Sequence, residues 1–118
     1  MEPLANSIPQ SATNKQSTAI QRAMIRELII GQDPKSYASH CQVIKDMKPL
    51  KFDAVKCPVL ILAGEEDQSA PLPGCQTIHD SVASEKKELK VMSSVGHWHC
   101  IEAGDQVGKE IARFCQQL

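Results

Sequence analysis

Cys57-Pro58-Val59-Leu60-Ile61-Leu62-Ala63-Gly64-Glu65-Glu66-Asp67 is the stretch that decides the fold. Val59 to Ala63 is an unbroken apolar run that enters after a proline and leaves through a glycine into acids. A short run of this kind between breakers reads as a strand covered on both faces, as in a parallel sheet. A second strand, Glu88 to Met92, passes through Ser93-Ser94-Val95 into Gly96-His97-Trp98. It is shorter and polar at Glu88 and Lys90, which suits a place near a sheet edge. Each strand delivers a titratable side chain just past its carboxyl end, where open α/β sheets build their sites.

Working outward, residues 72–83 carry Cys75, Ile78 and Val82 in helical register. Residues 105–117 place Val107, Ile111, Phe114 and Leu118 on one stripe, with Lys109, Glu110 and Arg113 on a solvated face. Residues 51–118 therefore alternate strand, helix, strand, helix, the pattern of an α/β protein and the end of a doubly wound parallel sheet. Upstream, residues 17–50 read as a helical hairpin. Ser17-Thr18 caps a helix to Ile30 whose apolar face is Ile20, Met24 and Leu28, with Gly31 as its stop. Asp33-Pro34 opens a second helix carrying Tyr37, Cys41 and Ile44 and ending near Met47. Residues 1–16, rich in Ser, Asn, Gln and Pro, read as a loose leading segment.

The composition narrows the function. A net charge of -1 with no basic run gives no footprint for nucleic acid or an anionic membrane, and 3% aromatic residues leave no stacking platform. No apolar run is long enough to cross a bilayer. The first residues have neither the basic start nor the apolar core of a secretory signal. Cys41, Cys57, Cys75, Cys100 and Cys115 are an odd, scattered set, read as reduced thiols in a cytoplasmic protein and as small core hydrophobes. His97, His99 and Cys100 cluster, but no C-x-x-C or H-x-x-x-H spacing accompanies them, so no metal and no cofactor is expected.

The chemistry concentrates on two residues. An Asp that fixes one nitrogen of an imidazole leaves the other free to take a proton from a nucleophile. Asp67 and His97 are placed to form such a pair. Glu65 or Glu66 would replace Asp67 if the turn register slipped by a residue, and His99 is the alternative to His97. Against these stand a loop acid that caps the helix near Pro71 and a hydrogen-bonded structural histidine. Trp98 reads as packing near the site, and Glu102 as a cap of the last helix or a member of a local ion pair. No Gly-x-Ser-x-Gly occurs, so no nucleophile elbow is present.

At these residues the chain resembles the C-terminal half of an α/β-hydrolase, of the 3-oxoadipate enol-lactonase-like kind. Pro58 to Asp67 is similar to that family's strand and acid turn, written P-hydrophobic-G-x-x-D. Gly96-His97-Trp98-His99-Cys100-Ile101-Glu102, followed by the amphipathic run Val107 to Phe114, is similar to its G-H-x-x-x-x-E histidine loop and final helix. The helical hairpin resembles the end of the family's cap. The resemblance implies Asp67 as catalytic acid, His97 as general base, and a small-molecule ester or lactone as substrate of the full-length family. It also implies that the first strands, the oxyanion-hole loop and the nucleophile are missing, so the chain is expected to be a truncated, inactive half. The other reading is a non-catalytic fragment that associates, with itself or another chain, through an unpaired strand edge.

Overall fold

The computed structural model describes residues 1–118. Val59–Gly64 (β1) and Lys87–Met92 (β2) pair in parallel, Val59 opposite Lys87 and Gly64 opposite Met92. Between them runs α4, Leu72–Ser81, which packs on both strands. The strand–helix–strand–helix order expected from residues 51–118 is the order found. Helix α6, Gly104–Cys115, closes the chain against the sheet, after a single turn of helix, α5, at His99–Glu102. A 3₁₀ turn at Phe52–Ala54 precedes β1.

The three leading helices are α1 (Glu2–Ser11), α2 (Ala19–Ile30) and α3 (Pro34–Asp46). The start signals of α2 and α3 work as the sequence suggests. Thr18 Oγ1 accepts from the Gln21 N–H while Gln21 Oε1 accepts from the Thr18 N–H, a capping box. Asp33 accepts from the Ser36 N–H at 2.8 Å, with Pro34 just inside the helix.

Five expectations are corrected. Residues 2–11 are helical rather than loose, because Ala5 is fully buried against Ile25 and Ile29 of α2. The packed pair is thus α1 with α2, whereas α3 buries none of its residues and forms no packed hairpin. The buried face of α2 is Ile25 and Ile29, while Ile20, Met24 and Leu28 are left exposed. Both sets have helical spacing, so periodicity alone cannot choose between them. Nor are the thiols core residues: Cys41, Cys57, Cys100 and Cys115 are exposed and Cys75 is half-buried. Finally, Glu110 and Arg113 of α6 are not simply solvated. Glu110 pairs with Lys90 and Arg113 with Glu88, so the polar residues of β2 are met by charges from α6.

Two small apolar clusters organise the molecule. One joins Ala5, Ile25 and Ile29 with Trp98 and Ile101 from the histidine loop. The other joins Met92, Val95 and Val107 with Leu62 and Ala103. The radius of gyration, 15.9 Å, exceeds the roughly 13.5 Å of a compact domain of this length. Side chains of Ile20, Val43, Ile44 and Met47 are all more than half exposed or close to it, which fits that looseness.

Two glycines set the spacing of the turns beyond the strands. A Cβ on Gly64 would lie 2.5 Å from the carbonyl oxygens of Val95 and Gly96. One on Gly96 would lie 2.7 Å from the Asn14 amide nitrogen and 2.9 Å from the Ala12 oxygen. Every obstacle is backbone, so nothing can rotate aside. Gly64→Ala and Gly96→Ala are each expected to destabilise by about 2–3 kcal/mol. Gly108→Ala, in open space on α6, should stabilise by roughly 0.5–1 kcal/mol. Urea denaturation of the three variants checks both signs.

Candidate active site

Parallel pairing of β1 and β2 places their exit turns side by side. The backbone ties the turns together: Glu65 N–H donates to the Met92 carbonyl at 3.0 Å and Glu66 N–H to that of Val95 at 2.9 Å. The β1 turn then delivers Asp67, whose side chain is 1% exposed. Asp67 Oδ1 accepts from the Ser69 and Ala70 N–H groups at 2.8 and 2.9 Å. Oδ2 faces His97 Nδ1 at 2.9 Å. The structure therefore brings together the two residues that the sequence singles out.

The ring of His97 is 44% exposed, and Nε2 makes no hydrogen bond within the chain. With Asp67 accepting at Nδ1, the neutral ring keeps its proton there and turns the Nε2 lone pair outward. That is the state in which an imidazole can act as a base.

The alternatives have other partners. Glu65 accepts from the Ser94 N–H at 3.0 Å and Glu66 from the Lys15 N–H at 3.2 Å, so both tie down neighbouring loops. Ser94 holds the left-handed backbone there, with φ at 57°. His99 Nδ1 lies 3.0 Å from the His97 carbonyl oxygen, and its Nε2 is buried without a partner. Trp98 packs on the α1–α2 cluster, as expected of a packing residue. No group of three or more His, Cys, Asp or Glu side chains converges to hold a metal. A concavity also lies away from this pair, between α1 and α2, lined by Ala5, Pro9, Arg22 and Arg26 among others.

Sequence reasoning singled out Glu102 but gave it the wrong partners. Glu102 forms no ion pair. Instead it accepts from the N–H groups of Asn14, Gly96 and Trp98 and from the Ser17 hydroxyl. Its place five residues after His97 was the available signal, but its partners come from both ends of the chain.

The charge balance at Asp67 is legible from its surroundings. Burial pushes its carboxyl up, but hydrogen bonds from the Ala70 N–H, His97 and the Ser69 N–H outweigh this and hold it below the ordinary value of 3.8. A depressed folded-state value contributes stability that is complete above 3.8 and is lost as pH falls through the lower folded value. Asp67→Asn is expected to cost about 1–2 kcal/mol at neutral pH. That gap should close on acidification below 3.8, measured as denaturation midpoints across pH.

No protein-family model matches the chain, and no curated protein matches it. Solved structures do. An esterase from Thermogutta terrifontis superposes with a TM-score of 0.84 at 18% identity, covering 97% of this chain and 43% of the esterase. The enol-lactonase from Burkholderia xenovorans LB400 gives 0.83 at 24% identity, covering 98% and 45%. CarC, a serine hydrolase involved in carbazole degradation, gives 0.81 at 16% identity, covering 100% and 48%. The chain thus spans less than half the length of each of these proteins. With its two adjacent parallel strands and the helices packed on them, the chain has the fold of part of an α/β-hydrolase.

Proposed function

We propose that this chain supplies the acid–base pair of a serine-type hydrolase of small carboxylic esters or enol-lactones, and that the nucleophile comes from outside these 118 residues. The observation that carries this reading is the 2.9 Å contact between His97 Nδ1 and buried Asp67, with Nε2 left open. In the reaction, Nε2 takes the proton of a serine hydroxyl as the oxygen attacks the acyl carbon. The tetrahedral intermediate collapses, and the imidazolium returns that proton to the departing alkoxide or enolate oxygen. A water, deprotonated by the same nitrogen, then releases the acid. Asp67 stays ionised throughout and stabilises the imidazolium. This chain has no Gly-x-Ser-x-Gly, and no hydroxyl or thiol of its own hydrogen-bonds to His97 Nε2.

A second reading is a non-catalytic module that associates through its open strand edge. It is favoured by one specific feature: β1 pairs only with β2, leaving its other edge without a strand.

Hydrolysis of p-nitrophenyl acetate by the purified chain tests the first reading. Alone, wild type and His97→Ala should turn over at the same background rate. With a half-chain of a solved neighbour that carries the nucleophile, hydrolysis should appear and vanish in His97→Ala. Asp67→Asn should lower it by up to about 10⁴-fold. His97-dependent turnover by the chain alone would sink the claim that the nucleophile lies elsewhere. Sedimentation of the chain alone reads the second: a dimer that dissociates on placing a proline in β1 supports edge pairing.

A further inference from the structure

Three successive amides run through the histidine loop, and each has a fixed acceptor. Gly96 N–H donates to Glu102 Oε2 at 3.0 Å, His97 N–H to the Ala12 carbonyl at 2.8 Å, and Trp98 N–H to Glu102 Oε1 at 2.9 Å. Glu102 Oε2 also accepts from Asn14 N–H at 2.7 Å and Ser17 Oγ at 3.1 Å. All four partners of this carboxylate are therefore donors, and two of them bracket His97. The facing segment is fixed in turn by α2: Arg22 donates to Thr13 Oγ1 and to the Asn14 carbonyl at 3.2 and 3.0 Å.

We propose that Glu102 is the positioning residue of His97, fixing the peptide of the histidine loop while Asp67 fixes the ring. Asp67 holds one ring nitrogen and the Ala12 carbonyl holds the His97 amide, which leaves the flanking peptides free to tilt the imidazole about those two contacts. Glu102 removes this freedom by holding the amides on either side and binding them to residues 14 and 17. It also makes the α1–α2 pair part of the site, since a displacement of that pair pulls on the same carboxylate. The role rests on the acid–base reading of Asp67 and His97. Glutamine cannot replace glutamate here: a carboxamide offers one acceptor oxygen and turns N–H donors toward groups that are themselves donors.

The test uses the full chain labelled with ¹⁵N, read by imidazole tautomer and by amide exchange. In wild type, His97 should hold the Nδ1–H tautomer, and the Asn14, Gly96 and Trp98 amides should be protected together. Glu102→Gln should spread His97 over both tautomers and lower the protection of Gly96 and Trp98 by at least about tenfold. The β1 and β2 amide shifts should stay in place, and His40 and His79 serve as internal references. A Glu102→Gln chain that keeps the wild-type tautomer and protection overturns the proposal. Should that variant not fold, wild type decides: Gly96 and Trp98 amides exchanging at open-chain rates overturn it, whereas joint protection with Asn14 supports it. Asp67→Asn separates the two readings. It should abolish the tautomer preference and leave Gly96 and Trp98 protected; a retained preference would sink the Asp67–His97 pair, not the Glu102 anchor.

Discussion

Backbone lies directly on backbone where the two strand exits meet, and the rest of the site depends on that contact. Gly64 sits against the carbonyls of Val95 and Gly96, and Gly96 in turn against residues 12–14. A side chain at either position would separate the turns by more than the Asp67–His97 hydrogen bond can stretch, since such bonds weaken steeply beyond about 3.2 Å. The 2.9 Å contact of the dyad is thus a consequence of two absent methyl groups as much as of the two side chains that make it.

Polar contacts, rather than a large core, hold the site together. The two apolar clusters have only three buried residues each, and the segment around His97 contributes to both, Trp98 to one and Val95 to the other. Between them, Asp67 and Glu102 satisfy seven donors, six of them on backbone or hydroxyl groups and one on the imidazole. Buried networks of this kind specify one arrangement because a half-satisfied alternative leaves donors stranded away from water. The outer faces follow a different logic. Ile20, Met24, Val43 and Ile44 remain exposed, and α3 buries nothing, so a substantial apolar surface lies outside the part of the chain that orders the dyad.

Much of this was legible in the sequence where local rules suffice. The apolar run of Val59 to Ala63 between breakers reads as a strand, although Val59 to Leu62 are only half-buried rather than covered on both faces. The Thr18–Gln21 and Asp33–Pro34 pairs begin helices because side-chain acceptors meet the first free amides there. Asp67 and His97 were singled out because each follows a parallel strand, and strand ends converge by geometry alone. The solved structures of an esterase, an enol-lactonase and a serine hydrolase share this arrangement of elements, at identities too low to carry more than the fold.

Local signals set the strand–helix–strand–helix order and the two turns that carry the acid and the imidazole, because breakers, caps and apolar runs act over a few residues. Long-range packing makes residues 2–11 a helix, which a polar, proline-bearing segment adopts when Ala5 finds a face on α2. It also decided that Ile25 and Ile29, not Ile20, Met24 and Leu28, face inward, since two stripes of one helix share the same period. Glu102 belongs with these. Its donors lie 6 and 4 residues away at Gly96 and Trp98 but 88 and 85 residues away at Asn14 and Ser17, and no local pattern records partners that distant.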